Sequence, residues 1–289
     1  MLTLRAPAKI NLTLEVLARR SDGYHGIRSV MVPIDLADEL TIEPSGHFSF
    51  ACNQSELGSE RNLAVAALRA LGELPAVRME LQKCIPVQAG LGGGSSDAAA
   101  VLRAAMSGAF GPPVQRDWVR IARTLGSDVP FFLAGTAALV EGTGERVTPA
   151  GLLPPWHTLI VKPPVVVSTA DAYRELDSLD RRTRPRSSSV SIAALEALQR
   201  ADFARVASLL QNDFHDVIAA RSVEVATAVE GLRDAGATNV LLAGSGSCVF
   251  TLAAELATIE GIAERLSLPE TYERLAGAFA STPDWRGDR

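Results

Sequence analysis

The stretch PVQAGLGGGSSDAAA, residues 86–100, joins a strand pattern to a helix pattern, and the rest of the chain is interpreted outward from it. Before it, residues 77–83 alternate apolar and polar side chains with the period of two that is typical of a half-buried strand. Residues 98–105 are rich in alanine and favour a helix. Ser95, Ser96 and Asp97 are residue types that cap helices, so the pattern predicts that the helix begins after them.

Glycine fills four of the five positions from 90 to 94, which makes this segment suited to holding an anion. Glycine lets the backbone approach a ligand closely, and the start of a helix offers free N–H groups and a positive dipole end. A Walker A loop is excluded because Ser95, and not lysine, follows Gly94. The same serine breaks the dinucleotide fingerprint, which requires glycine there. The remaining alternative is an ordinary glycine-rich turn; we favour a phosphate-binding loop.

Composition limits the classes of protein to consider. The chain has 289 residues, 47% of them hydrophobic and 21% charged, as expected of a globular protein. This length favours two domains, and the proline-rich stretch 149–155 predicts the boundary, giving domains 1–153 and 154–289. A net charge of −5 gives no overall attraction to nucleic acid or to an anionic membrane, so we expect neither partner.

The cysteines and the N-terminal residues bear on location and metals. The three cysteines lack C-x-x-C spacing, which argues against disulfides and against a zinc site, and no protein metal site is predicted. Arg5 and Lys9 interrupt the first apolar pattern, which does not resemble a signal peptide, and no run of about 18 apolar residues occurs. We therefore expect a cytoplasmic protein. We also expect a monomer or a weak homodimer.

The first strand pattern, residues 2–16, puts Lys9 and Asn11 on the face opposite Ile10 and Leu12. A lysine there is either exposed on the wet face of a sheet or functional. The following Asp-Gly turn, residues 22–23, is a hairpin signal that places Tyr24 beside His25. Such a pair is either plain surface or a means of stacking on, and hydrogen bonding to, a planar ring.

Further along the chain, strands between 27 and 42 are expected to break at Pro33 and at 37–38, and 135–145 suggests a hairpin. A second glycine cluster, 244–247, lies between two strand patterns, as a tight hairpin or a close approach to a ligand. The arginine-rich stretch 180–189 has the composition of a solvated loop, with a lid over substrate phosphate as the lesser alternative. The tail from 273 is weakly specified.

Three separated pieces, residues 6–12, 86–100 and 244–247, resemble in order and spacing the signature motifs of the GHMP kinase superfamily. More narrowly, PAKIN at 7–11, RSDGYH at 20–25, the glycine loop and LGSDVPF at 125–131 resemble the 4-diphosphocytidyl-2-C-methyl-D-erythritol kinase family. The resemblance covers nearly the whole chain and is weakest at 180–190 and after 273.

The resemblance implies an α+β, two-domain GHMP kinase fold, with an N-terminal domain like domain 2 of ribosomal protein S5 and a ferredoxin-like C-terminal domain. The extreme C-terminus would pack back on the N-terminal domain. It also implies an ATP-dependent kinase of the non-mevalonate isoprenoid pathway, which phosphorylates the 2-hydroxyl of a CDP-linked methylerythritol. Mg²⁺ would be carried with ATP. Another GHMP kinase, for homoserine or mevalonate, is the alternative; a non-catalytic protein on this scaffold is a more distant one.

The site residues that the resemblance implies fall into three groups. Lys9 and Asp128 match the catalytic lysine and aspartate. The residues matched to ATP are Asn62, Lys83, Pro86, Val87, Gln88, Ala89, Gly90, Leu91, Gly92, Gly93, Gly94, Ser95 and Ser96. Those matched to the acceptor substrate are Asn11, Tyr24, His25, Tyr173, Gly244 and Ser245.

The chemistry of phosphoryl transfer calls for these residue types. The triphosphate must be neutralised and the acceptor oxygen aligned, and the acceptor must lose its proton. Asp128 would accept that proton, and the cation at Lys9 would keep the carboxylate ionised and attract the shifting phosphoryl charge. The sequence assigns no protein ligand to Mg²⁺; Ser96 and Asp97 are candidates only.

Overall fold

The computed structural model describes residues 1–111, 115–178 and 189–280. Within these ranges the chain forms two sheets with helices packed against them, in the predicted α+β class. The strands are β1 (Leu2–Arg19), β2 (His25–Pro44), β3 (Ser49–Cys52), β4 (Val77–Gln82), β5 (Ala138–Gly142), β6 (Arg146–Pro149), β7 (His157–Lys162), β8 (Gln211–Asn212), β9 (Leu241–Leu242), β10 (Val249–Ala253) and β11 (Glu273–Ala278). The helices are α1 (Leu63–Arg69), α2 (Gly93–Met106), α3 (Trp118–Leu125), α4 (Val129–Ala134), α5 (Thr169–Ser178), α6 (Val190–Gln199), α7 (Phe203–Leu209), α8 (His215–Arg221), α9 (Val223–Asp234) and α10 (Leu256–Arg265).

The larger sheet has the order β3-β4-β2-β1-β8, with β5 paired to β2 and β6 to β5. Its central strands β1 and β2 form a long antiparallel ladder. The expected breaks at Pro33 and at 37–38 are both wrong, because β2 is continuous through these residues. The ladder shifts register where Pro7 pairs with Ala37 but Lys9 pairs with Pro33, so the extra residues of β2 bulge there and accommodate the proline.

The smaller sheet has the order β11-β7-β10-β9. Its strand β11 corrects the expectation of a weakly specified tail, because residues 273–278 pair along the whole of β7. Just beyond β11, Phe279 forms an isolated bridge to Ile34 of β2, and Ala278 N donates to Asp35 Oδ1 at 2.8 Å. The segment after β11 therefore contacts the larger sheet, while residues 281–289 lie outside the described ranges.

The two halves of the chain are also joined through β8, which belongs to the second half and pairs in parallel with β1. The helix α6 covers the polar face of β1: Thr13 Oγ1 donates to Ser191 Oγ at 2.8 Å, and Ser191 N donates to Glu15 Oε2 at 3.0 Å. That face is therefore buried, and the alternative of a lysine on a wet sheet face is wrong for Lys9, which is 4% exposed. The domain boundary near residue 153 stays a prediction.

The helix after the glycine loop begins earlier than its sequence suggests. Gly92, with φ of 74°, is the N-cap of α2, and Gly93 is already helical. Ser95, Ser96 and Asp97 therefore lie inside the helix and do not cap it, which corrects the expected start. The small residues of α2 let it lie close to β1 and α1 in the core. Among the described residues, no helix combines the length and the apolar character needed to cross a bilayer.

Candidate active site

Lys9 and Asp128 lie together, as their match to the family motifs implied. Lys9 is on β1, and Asp128 stands at the N-cap of α4 without making a capping hydrogen bond. The Lys9 ammonium is 3.7 Å from Asp128 Oδ2 and donates to Asn11 Oδ1 at 2.7 Å. Asn11 in turn donates to Ser29 Oγ at 2.8 Å, which fixes the orientation of its amide. The carboxylate of Asp128 therefore does not cap its own helix, and it faces the buried ammonium of Lys9.

Burial dominates the electrostatics of this pair. It lowers the pKa of Lys9, and the negative charge of Asp128 opposes that shift. The nearby Tyr173 phenol has its pKa raised to about 12, first by burial and then by the Asp128 charge. Tyr173 therefore stays a neutral hydroxyl beside the carboxylate at physiological pH. An additional anion near Lys9, such as a phosphate, would favour the ammonium form.

The glycine loop passes directly beside Lys9. Lys9 N donates to Leu91 O at 3.0 Å, and a Cβ built on Gly92 would lie 3.2 Å from Lys9 Cγ. The first intrahelical bond of α2 runs from Ser96 N to Gly92 O at 2.9 Å. The N–H groups of Gly93, Gly94 and Ser95 precede it and have no acceptor within the helix. These groups and the positive end of α2 form a suitable site for phosphate next to the Lys9–Asp128 pair.

The second glycine cluster packs against the first loop. A Cβ on Gly90 would overlap Ala243 O, and a Cβ on Gly244 would lie 3.1 Å from Lys9 Nζ and 2.9 Å from Gly90 O. Both glycines have positive φ, of 79° and 55°. Ser245 Oγ is 2.8 Å from Thr169 Oγ1 at the edge of the same turn. The structure therefore brings together Lys9, both glycine segments and Ser245.

Asn212 holds this second turn in place through side-chain hydrogen bonds to its backbone. Sequence reasoning missed this residue. Its Nδ2 donates to Leu242 O at 2.8 Å and to Gly244 O at 2.7 Å, while its Oδ1 accepts from Phe214 N at 2.9 Å. Asn212 is buried in β8 beside Leu14 of β1. No local pattern identifies its role in the turn, because Leu242 and Gly244 are about 30 residues away in sequence.

Lys83 occupies a buried ion cluster beneath the start of α2. Its ammonium bonds to Asp38 Oδ2 and donates to Asp97 Oδ2 at 2.8 Å. The other oxygen of Asp38 accepts the N–H groups of Cys84 and Ile85 at 2.6 and 2.8 Å. The cluster thus ties the strand end before the glycine loop to the first turn after it. Sequence reasoning treated Asp38 as part of a strand break and missed this role.

Charge is unbalanced in the cluster, since one lysine faces two carboxylates. Burial, more than any other cause, raises the pKa of Asp97 to about 7, and Asp38 adds to the shift while Lys83 opposes it. The pKa of Lys83 is raised: burial lowers it, but the two carboxylates outweigh burial. In this arrangement the Lys83 ammonium stabilises the two segments that flank the glycine loop. Asn62, which was matched to the nucleoside together with Lys83, caps α1 by accepting from Ala64 N at 2.9 Å.

Two buried oxygens near the loop, Ser96 Oγ and Asp97 Oδ1, have no hydrogen-bond partner within the described part of the chain. Hydroxyl and carboxylate oxygens are ligands that Mg²⁺ accepts, so their chemistry fits the ion. Among the described residues, no three His, Cys, Asp or Glu side chains are grouped so that they could hold a metal.

On the expected acceptor side, Tyr173 is in ring contact with His25. Its ring stacks on Tyr173 with centroids 5.4 Å apart and planes 18° apart. Tyr24 is 69% exposed at the turn that precedes β2. His25 Nε2 also lies 3.1 Å from Asp177 Oδ1, a residue that sequence reasoning missed although it follows Tyr173 by one helical turn. The loop residues 180–188, considered as a lid, lie outside the described ranges.

Two family models match the chain: the GHMP kinases N terminal domain over residues 62–136 and the GHMP kinases C terminal domain over residues 194–270. The chain is 40% identical over 270 residues to 4-diphosphocytidyl-2-C-methyl-D-erythritol kinase of Deinococcus radiodurans, covering 91% of this chain and 87% of that protein. It is 41% identical over 275 residues to the enzyme of the same name from Pelotomaculum thermopropionicum, covering 92% and 93%.

Solved structures agree with these matches. A crystal structure of 4-(cytidine 5'-diphospho)-2C-methyl-D-erythritol kinase superimposes with a TM-score of 0.76 at 35% identity, over 96% of this chain and 98% of that one. Homoserine kinase from Cytophaga hutchinsonii gives 0.68 at 18% identity, over 98% and 95%. At that identity the second likeness concerns the fold alone.

Proposed function

The chain belongs to the 4-diphosphocytidyl-2-C-methyl-D-erythritol kinase family of the GHMP kinases, and from this we propose that it transfers the γ-phosphoryl group of ATP to the 2-hydroxyl of that CDP-linked polyol. The product would feed the non-mevalonate route to isoprenoid precursors. For the alternatives, homoserine and mevalonate kinase, the chain resembles solved structures at 18% and 16% identity, which bear on fold and not on substrate.

The observation that carries the proposal is the position of the Lys9–Asp128 pair beside the start of α2. The carboxylate is 3.7 Å from the ammonium, and the loop backbone touches Lys9. A phosphate bound at the N–H groups of residues 93–95 would lie beside both side chains. An acceptor hydroxyl would then stand between a base and the group it attacks, which is the geometry that phosphoryl transfer needs.

Each residue has a distinct part in the proposed reaction. Asp128 accepts the proton of the acceptor hydroxyl. Lys9 faces the carboxylate of Asp128 at 3.7 Å and attracts the negative charge of the phosphoryl oxygens as it shifts toward the leaving group. Asn11 holds the ammonium of Lys9 in place through its 2.7 Å bond and lies at the acceptor side.

The glycine loop neutralises the triphosphate through its backbone, with residues 86–96 surrounding the phosphates. Mg²⁺, carried with ATP, supplies charge neutralisation to the phosphates when bound. Ser96 and Asp97 are the residues that would hold it, since each has a buried oxygen without another partner in the described residues.

The cytidine half of the substrate is proposed to bind at Tyr24, His25 and Tyr173, with Gly244 and Ser245 nearer the polyol. The aromatic rings offer stacking surfaces and the imidazole offers polar contacts to the base. We further propose a cytoplasmic protein, monomeric or weakly dimeric, that binds neither nucleic acid nor membrane. The division into domains 1–153 and 154–289 belongs to the same proposal.

The deciding experiment is an ADP-release assay in which the purified protein is offered the CDP-linked methylerythritol, homoserine and mevalonate in turn, each with ATP. We expect turnover of the first only. Turnover of homoserine or mevalonate at a higher kcat/KM would assign the chain to another GHMP activity. A Tyr24→Ala variant should raise the Kd of the CDP-linked substrate by about one to two powers of ten and leave ATP binding unchanged, because base stacking is worth roughly 1–3 kcal/mol.

A further inference from the structure

Asp177 lies at the edge of the proposed cytidine site, and neither the sequence motifs nor the proposed mechanism gives it a role. It stands near the end of α5, four residues after Tyr173. Helical residues with this spacing project from the same face, so its carboxylate lies one turn from the Tyr173 ring. The other acidic side chains of α5 are paired with cations, Asp171 with Arg174 and Glu175 with Arg221.

The orientation of His25 is set by two neighbours. Its Nδ1 lies 2.9 Å from the carbonyl oxygen of Leu17, and because a carbonyl only accepts, Nδ1 carries the hydrogen. The other nitrogen, Nε2, faces the carboxylate of Asp177, with Oδ1 3.1 Å away. The Tyr173 ring is held in turn by an edge contact with Phe214, with centroids 4.9 Å apart.

A base stacked on Tyr173 would meet both polar groups at its edge. The His25 and Tyr173 ring planes differ by only 18°, so a ring parallel to Tyr173 is also nearly parallel to the imidazole. Because the two centroids are 5.4 Å apart, the imidazole is offset over the Tyr173 ring, and a base on the remaining part of that ring would lie in the same layer as the imidazole, with its edge facing Nε2 and the adjacent carboxylate. With 44% of its side chain exposed, Asp177 is accessible to a ligand entering from solvent.

Cytosine and uracil differ at that edge. Cytosine presents its exocyclic N4 amino group as a donor, whereas uracil presents an oxygen acceptor at the same position. A carboxylate can only accept, and pairing with the cytosine amino group is a geometry that Asp and Glu use in recognising this base.

We propose that Asp177 accepts a hydrogen bond from the N4 amino group of the substrate's cytosine and repels the O4 of uracil, so that with His25 it determines base specificity. This inference rests on the proposed function. It adds a specificity residue from α5, whereas the sequence motifs supply His25 from the other half of the chain.

The test measures CDP and UDP binding by calorimetry in the full-length protein, with a non-hydrolysable ATP analogue saturating the glycine loop. The parent should bind CDP more tightly. In Asp177→Ala the ratio of the UDP to the CDP dissociation constant should fall by about 10- to 100-fold, the range for a hydrogen bond to a charged group. Alanine favours helices, so the fold should persist. The matched control Asp171→Ala removes an acid from the same helix and should leave the ratio unchanged.

The assignment would be overturned if folded Asp177→Ala kept the parent's ratio of UDP to CDP dissociation constants. It would also be overturned if the parent did not discriminate CDP from UDP. Failure of the proposed function has a different signature, since the parent itself would then not phosphorylate the CDP-linked substrate. Asp177→Asn is the second variant: its amide can turn a donor toward O4 of uracil, so the preference for CDP should narrow there too.

Discussion

Asp128 is a residue whose local position suggests one role and whose neighbours suggest another. An aspartate at a helix N-cap ordinarily accepts from the first turn, but the Asp128 side chain makes no such bond. Its neighbour within the site is the buried ammonium of Lys9, 3.7 Å away. The carboxylate is thus available for chemistry, and the helix start is stabilised instead by Pro130 near the first helical position.

Asp128→Asn should keep both ligands and lose transfer. Asparagine has nearly the same shape but cannot take the hydroxyl proton, and general-base catalysis is typically worth about 10²–10⁴-fold, so kcat should fall by that factor. Steady-state kinetics on fresh protein measure this fall in kcat, since deamidation of the asparagine would restore activity.

Lys9→Met should lower kcat by a similar factor, and the double variant should lose much less than the product of the two factors. The matched control is Asp117→Asn at the capped start of α3. If Asp128→Asn kept the parental kcat, the base would have to be another group.

Asn212 should affect catalysis without touching a reactant. It holds Gly244 O at 2.7 Å, and Gly244 packs against the Lys9 ammonium. Asn212→Ala should therefore lower kcat by about tenfold or more, besides destabilising the fold by about 1–3 kcal/mol for the unsatisfied carbonyls.

Asn239→Ala provides the control for this variant, because Asn239 also makes paired side-chain bonds to the backbone, donating to Leu252 O and accepting from Leu252 N of β10. Both variants should lose stability by urea denaturation, and only Asn212→Ala should lose kcat. Equal kcat losses in the two, after matching for folded fraction, would mean that Asn212 acts only on stability.

At the scale of elements, the two glycine segments behave as one interlocked unit. Residues of the loop before α2 lie against the turn between β9 and β10, and Cys248 N donates to Ala89 O at 3.2 Å across the contact. A side chain at Gly90 would enter the space of Ala243 O. The contact brings the phosphate loop and the acceptor side into a fixed relation, which in-line transfer requires.

Gly90→Ala is expected to disturb this unit. The variant combines positive-φ strain, about 1–2 kcal/mol, with a steric overlap that only separation of the two segments relieves. ATP affinity and kcat should both fall, measured by calorimetry and steady-state kinetics. Gly151→Ala has a similar φ of 93° but nothing within 4 Å of the added carbon, so it should show the strain alone and normal kinetics. Equal effects of the two variants on ATP binding would disprove the interlock.

At the scale of the whole molecule, buried polar groups join parts that are distant in sequence. Asp38 of β2, Lys83 after β4 and Asp97 of α2 meet in one cluster, and α6 and β8 from the second half of the chain cover and extend β1. Breaking such a cluster leaves uncompensated buried charge, so its ionisation affects the global free energy of unfolding.

The pH dependence of stability should report Asp97. Its folded pKa of about 7 lies above the ordinary value of 3.8 for an aspartate, so the folded state holds its proton more tightly. The stabilisation from this group is complete below about pH 4 and is lost as the pH rises through about 7. The free energy of unfolding, measured with urea from pH 4 to 8, should therefore decline in the parent relative to Asp97→Asn, because the asparagine side chain does not titrate. Parallel curves for parent and variant would contradict the raised pKa.

The sequence alone determined the class of fold and most of its elements. Alternation of period two gives strands such as β1 and β4 because successive side chains point to opposite faces, and this depends only on neighbours along the chain. The glycine run followed by alanines likewise determined a loop that leads into a helix. The resemblance of its motifs identified Lys9 and Asp128 as a pair, although their separation in sequence hides their contact.

Only the tertiary structure decided what surrounds those residues. One face of β1 is polar, and its sequence pattern is typical of a solvent-exposed face; it consists of Lys9, Asn11, Thr13 and Glu15. In the structure this face is buried under α6 and the glycine turn. Asp38, Asn212 and Asp177 have no local signature, because each acts on a partner from a distant part of the chain. Local patterns encode backbone preference, whereas burial, charge pairing and hydrogen-bond satisfaction depend on which distant segments fill the remaining space.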